Sequence, residues 1–171
     1  MIVVYILLIL IALVLIISAL MPNSFNIAKS IVINKPIGAV MGRIANLNDY
    51  ARWNPWQQSD PSAAKSITGT PGTPGHRYGW EGKKVGVGSL TLNQIDDQNI
   101  HFDLEFLKPW KSKAKDNWHF DQVGSNETKV TWQNSGELPW PMARLMGPMI
   151  NKGLNKQFGI GLDNLRKLCE S

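Results

Sequence analysis

The first twenty-one residues constrain this chain more than any other feature. From Ile2 to Met21 the sequence reads IVVYILLILIALVLIISALM, without a charge and with only the Tyr5 phenol and the Ser18 hydroxyl as polar side chains. At ~1.5 Å rise per residue the run makes ~30 Å of helix, the thickness of a bilayer's hydrocarbon core. A helix apolar on every side needs lipid or a large protein around it. The remaining chain of about 150 residues is one ordinary domain. The expected organisation is therefore a transmembrane helix over residues 1–22 and a tethered domain over 23–171. A cleavable signal peptide would need a basic start, an apolar core of ~7–15 residues and a small-residue cleavage site. Here the apolar run follows Met1 directly, is longer, and ends in SALMPNS, a poor cleavage site.

Lys29, Lys35 and Arg43 follow the run and no basic residue precedes it. The positive-inside rule then favours a single-pass protein of the cell membrane with its domain on the cytoplasmic side. Every charged residue belongs to that domain, which carries the net +5 and a pI near 9.4. Such a mild excess suits an anionic lipid surface and falls short of a nucleic-acid footprint, so no nucleic-acid partner is expected. The single Cys169 excludes an internal disulfide and a multi-cysteine metal site. The oligomeric state is not readable from these features.

Within the domain, NIAKSIVINKP (26–36) alternates as a strand, and Val40, Ile44 and Leu47 recur at helical spacing after Pro36. Then comes the aromatic corner NDYARWNPW (48–56), followed by a Gly- and Pro-rich stretch that reads as loops and short strands. Its five glycines from Gly75 to Gly88 lack the strand-to-helix context of a dinucleotide fingerprint. Four further strands show period two through Leu90 and Leu92, Ile100 to Phe106, Trp118 and Phe120, and Val130 and Trp132. Short polar links join them as an antiparallel meander with one apolar face. A helical stripe from Leu145 to Leu168 closes the chain; Pro148 is expected to kink or split it, and Gly153, Gly159 and Gly161 to mark a close approach. A one-sided curved sheet must be covered, and this helix alone is long enough. A cavity between them is the expected consequence.

Three segments resemble the START-like superfamily, also called SRPBCC or Bet v 1-like, and within it the bacterial polyketide cyclase/dehydrase proteins. They are SIVINKPIGAVMGRIANLNDYARWNPW, GWEGKKVGVGSLTL and the closing GPMINKGLNKQFGIGLDNLRKLCE. The resemblance covers about residues 26–170. It implies an α+β helix-grip fold, a bent antiparallel sheet around a long C-terminal helix, with an apolar cavity for a lipid, sterol, polyketide or similar ligand. It fixes no activity.

The expected cavity walls are Trp53, Trp56, Trp80, Phe102 and Phe106 from the corner and the strands, with Trp118 and Trp132 beside them. The last helix adds Met146, Met149, Ile150 and Phe158. No catalytic residue is assigned. His76 lies in the glycine-rich loop, and alternation turns His101 and His119, with Asp103 and Glu105, away from the aromatic face. Arg77, Tyr78 and Glu81 complete the polar candidates. No metal and no cofactor are expected. KPWKSKAK places Lys108, Lys111, Lys113 and Lys115 around Trp110, which reads first as a solvated strand edge and second as a membrane surface. The favoured function is a membrane-anchored domain binding a hydrophobic small molecule or lipid. Its rivals are a cyclase- or dehydratase-type enzyme using the same cavity, and a ligand-free, chaperone-like interaction domain.

Overall fold

The computed structural model describes the whole chain, Met1–Ser171. Helix α1 (Ile2–Leu20) stands out from the rest with nearly all its side chains exposed, and it is long and apolar enough to cross a bilayer. Its C-terminal end packs against the domain through α5. There Ser18 is fully buried and its hydroxyl donates to the Pro141 carbonyl at 2.7 Å. Just beyond, the Leu138 N–H donates to the Asn23 carbonyl at 2.7 Å.

The domain runs β1 (Ser24–Ile33), α2 (Ile37–Ala45), α3 (Tyr50–Trp53), α4 (Pro55–Ser59), β2 (Ala64–Thr68) and β3 (Arg77–Gly82). It continues with β4 (Gly86–Ile95), β5 (Asn99–Lys108), β6 (Ser112–Gly124), β7 (Glu127–Glu137) and α5 (Met142–Glu170). All seven strands form one antiparallel sheet in the order β1-β7-β6-β5-β4-β3-β2. The period-two residues Ile100, Phe102, Trp118, Phe120, Val130 and Trp132 are buried on its concave face, as alternation requires. The Gly- and Pro-rich stretch supplies β2 and β3 at one edge. The curved sheet holding α5 is the helix-grip arrangement.

Two local expectations change. Of the kink or split expected at Pro148, the split does not occur: the proline lies exposed in the second turn of α5 and the helix continues through it. Of the three glycines, Gly161 marks the tightest approach, since a Cβ there would lie 2.8 Å from the Trp132 ring and 3.2 Å from Pro55. A Cβ on Gly159 would lie 3.1 Å from the Lys29 Nζ, but one on Gly153 would have nothing within 4 Å.

Candidate functional site

Strand register sorts the concave face into cross-strand rows. Ile100, Trp118 and Trp132 form one row. Trp118 stacks on Trp132 with ring centroids 4.7 Å apart, and Phe158 of α5 stacks on Trp132 at 4.0 Å and 2°. Trp53 meets both tryptophans edge-on at 5.6 Å, and Trp56 meets Trp132 and Phe158 at 6.2 Å. Local sequence explains why the corner turns inward. Asn54 Oδ1 accepts the Trp56 and Gln57 N–H groups at 3.1 and 3.2 Å, with Pro55 preset at the first position of α4. Trp53, one residue earlier and 1% exposed, is thereby aimed into the core. Each ring of this kind fills ~150–250 Å² of contact surface. The result is that this half of the expected cavity is closed: the gap between Ile44, Tyr50, Trp53, Leu90, Phe102 and Trp118 admits no water.

The adjacent row is Phe102, Asp116, Asn134 and Ile27. Asp116 is buried, and its carboxylate accepts from the Trp118 and Trp132 indole N–H groups, both at 2.8 Å, and from Asn134 Nδ2 at 3.2 Å. Burial pushes its pKa up to about 6, against the pull of those three donors. This is an inward titratable group that a search among the histidines does not find. Its signal is present in the sequence, because Asp116 shares the parity of Trp118 and Phe120. Tyr50, close by, is raised well above the usual phenol range, first by burial and then by the Asp116 charge.

One row further the character changes. Leu104, Ala114, Gly136 and Phe25 align across the sheet, and all four are half-buried. Beyond them Phe106 pairs with Ser112 and Gly88, and Gly88 with Trp80. Gly88 is required there, since a Cβ would lie 2.5 Å from the Trp80 ring. The glycines here admit neighbouring rings, since a Cβ on Gly136 would likewise lie 2.8 Å from the Phe25 ring. The first half of α5 buries only Gly147 before Phe158, and Met146, Ile150 and Leu154 are half-buried. The concave face is therefore fully buried at one end and apolar but only half-buried at the other, with Asp116 and Asn134 at the boundary.

The named wall residues divide accordingly. Trp53, Trp80, Phe102, Trp118, Trp132 and Phe158 are buried, Trp56 is half-buried against the packed rings, and Phe106, Met146 and Ile150 are half-buried toward the other end. Met149 is 64% exposed and faces away from the interior. His76 is fully buried but structural: its Nε2 accepts the Leu47 N–H at 3.0 Å, which leaves Nδ1 to donate to the Thr68 carbonyl at 3.1 Å. His101 and His119 bond to Asn117 and Asn99 at 2.9 and 2.8 Å on the outer face. Lys115 pairs with Asp103 and Lys113 with Glu105 across β5 and β6, whereas Lys108 and Lys111 form no ion pair. Tyr78 donates to Gln57 Oε1 at 3.1 Å, and burial raises its phenol to about 12. No group of three or more His, Cys, Asp or Glu side chains is placed to hold a metal. A separate surface groove of about 380 Å³, lined by Gly38, Gly42, Pro71, Gly72 and their neighbours, carries no titratable side chain.

A family model described as polyketide cyclase/dehydrase and lipid transport matches residues 24–170. No curated protein matches the chain. Among solved structures, the ZhuI aromatase/cyclase from Streptomyces sp. R1128 is similar at TM-score 0.64 and 12% identity, over 86% of this chain and 94% of that one. The protein TTHA0849 from Thermus thermophilus gives TM-score 0.61 and 17% identity over 85% and 97% of the two chains. Ara h 8.0201 gives 0.58 and 10% over 85% and 97%. At these identities the likeness concerns the fold.

Proposed function

This chain belongs to the polyketide cyclase/dehydrase and lipid transport family, and from that premise we propose that it is a membrane-tethered domain binding a hydrophobic small molecule or lipid. The observation that carries the reading is the half-buried apolar end of the concave face, with Leu104, Phe106 and Ala114 on the strands and Met146, Ile150 and Leu154 half-buried on α5. A ligand in the cleft proposed there removes apolar surface from water on both sides, at ~25 cal/mol per Å². The packed rings of the other half form its back wall. Helix α1 is the tether, and the buried Ser18 hydroxyl supports this, because a segment removed after targeting has no use for a bond to the domain. The basic flank favours the cytoplasmic side for the domain.

Asp116 supports an enzyme as the second reading, since a carboxyl near pKa 6 suits acid–base work at neutral pH. It ranks below binding because all three of its donors are the domain's own side chains, and burial keeps substrate from it. A ligand-free interaction domain would fit if both halves were packed. Native mass spectrometry of the full chain released from lipid nanodiscs tests the choice. A co-purifying apolar molecule on wild type, lost when Ala114→Trp fills the cleft, is the expected result. An unliganded wild-type mass under gentle release sinks the binding reading.

A further inference from the structure

The tether and the proposed cleft lie at the same end of the domain. Ser24 pairs with Glu137, Phe106 with Ser112 and Val87 with Lys108. The α1–β1 junction, the β7–α5 link, the β5–β6 turn and the β3–β4 turn therefore share one end of the sheet, and the half-buried rows of the concave face run out at that end. The bond from Ser18 to Pro141 then fixes a depth. Ser18 sits in the last turn of the apolar helix, so Pro141 lies within one helical turn, ~5 Å, of the level at which the apolar segment ends. Its neighbours Trp140 and Met142 are 51% and 64% exposed, and Trp110 in the β5–β6 turn is 60% exposed. Four exposed lysines without ion pairs, Lys83, Lys84, Lys108 and Lys111, occupy the two turns at this end. Exposed indoles at the height where a spanning helix stops, with unpaired ammonium groups around them, match an interfacial layer of anionic headgroups in both polarity and charge.

We propose that this end of the domain rests in the headgroup layer of an anionic leaflet, with Trp110 and Trp140 as its anchors, so that the cleft opens onto the membrane. The inference rests on the reading of α1 as a spanning helix. It adds that the domain does not hang free on a linker, and that an apolar ligand passes between bilayer and cleft without crossing bulk water.

All seven tryptophans lie in the domain and none in α1, so tryptophan fluorescence reports the domain alone. The full chain is placed in nanodiscs of phosphatidylcholine and phosphatidylglycerol, with or without brominated phosphatidylcholine. Brominated lipid should quench wild type, and Trp110→Phe with Trp140→Phe should remove at least half of that quenching. A control on the outer face at the opposite end of the sheet, His119→Gln, should keep it. Lys108→Glu with Lys111→Glu should weaken quenching in the anionic discs and leave it unchanged in discs of phosphatidylcholine alone. A chain that incorporates into discs but is not quenched, or whose quenching survives the double tryptophan change, overturns this proposal and leaves ligand binding in the cleft untouched. A chain that does not incorporate overturns the spanning helix as well.

Discussion

The two halves of the concave face are built from the same sheet and covered by the same helix, yet they are filled differently. In the row of Trp118 and Trp132, rings from two strands, α3 and α5 meet at 4.0–5.6 Å and exclude water. Two rows away, Leu104, Ala114 and Gly136 leave the same face half-buried. One half is a closed core, and the other is the half-buried surface on which the proposed binding would occur.

Substitutions should separate the halves, the largest effect first. Trp132→Ala removes two ring stacks, two edge contacts and the indole bond to Asp116, and should cost ~3–5 kcal/mol of folding stability in urea titration. Leu104→Ala, in the half-buried row, should cost less than half as much; equal losses would mean that the two ends are packed alike.

Asp116 supplies a pH signature of the boundary. Its carboxyl is raised from 3.8 to about 6 in the fold, so it binds a proton that the unfolded chain has already released. Its contribution to stability is fully present below pH ~4 and is lost as pH rises through about 6, by roughly 2–3 kcal/mol in all. Subtracting the pH profile of Asp116→Asn from that of wild type should reveal this fall; a difference independent of pH from 4 to 7 would show that the carboxyl is not destabilised by burial.

His76→Ala should cost ~1–3 kcal/mol by leaving the buried Leu47 N–H without its acceptor, with no effect on ligand retention. The smallest effect belongs to the outer face. Lys113→Gln and Lys115→Gln break exposed pairs and should each change stability by ~0.5 kcal/mol or less. A larger change would mean that these lysines do more than solvate the strands.

Much of this architecture was legible in the sequence. Period two in Ile100 to Phe106 and in Trp118 to Phe120 assigns the inner face of β5 and β6, and the stripe ending at Leu168 assigns the helix that covers it. Alternation also places Asp116 inward. What alternation cannot supply is register: that Ala114 lies opposite Gly136 while Trp118 lies opposite Trp132 depends on turn lengths and on the bulges in β4 and near the end of β6. The filling of the packed half was illegible for a related reason. The Asn54 cap turns Trp53 across the space between sheet and helix, a tertiary consequence of a local bond. Met149 shows the limit of a helical stripe, since its spacing matches Met146 and Ile150 but its side chain faces solvent.

The division of the concave face is tested most directly by letting a ligand choose. A fatty acid bearing a diazirine, offered to the full chain in nanodiscs and cross-linked by light, marks the residues it touches. Outside α1, labels should fall on β5 from Leu104 to Leu107, on the start of β6 and on α5 from Met146 to Leu154. Labels on Tyr50, Trp53 or α2, or a domain left unlabelled while α1 is marked, would contradict the half-buried end as the binding site.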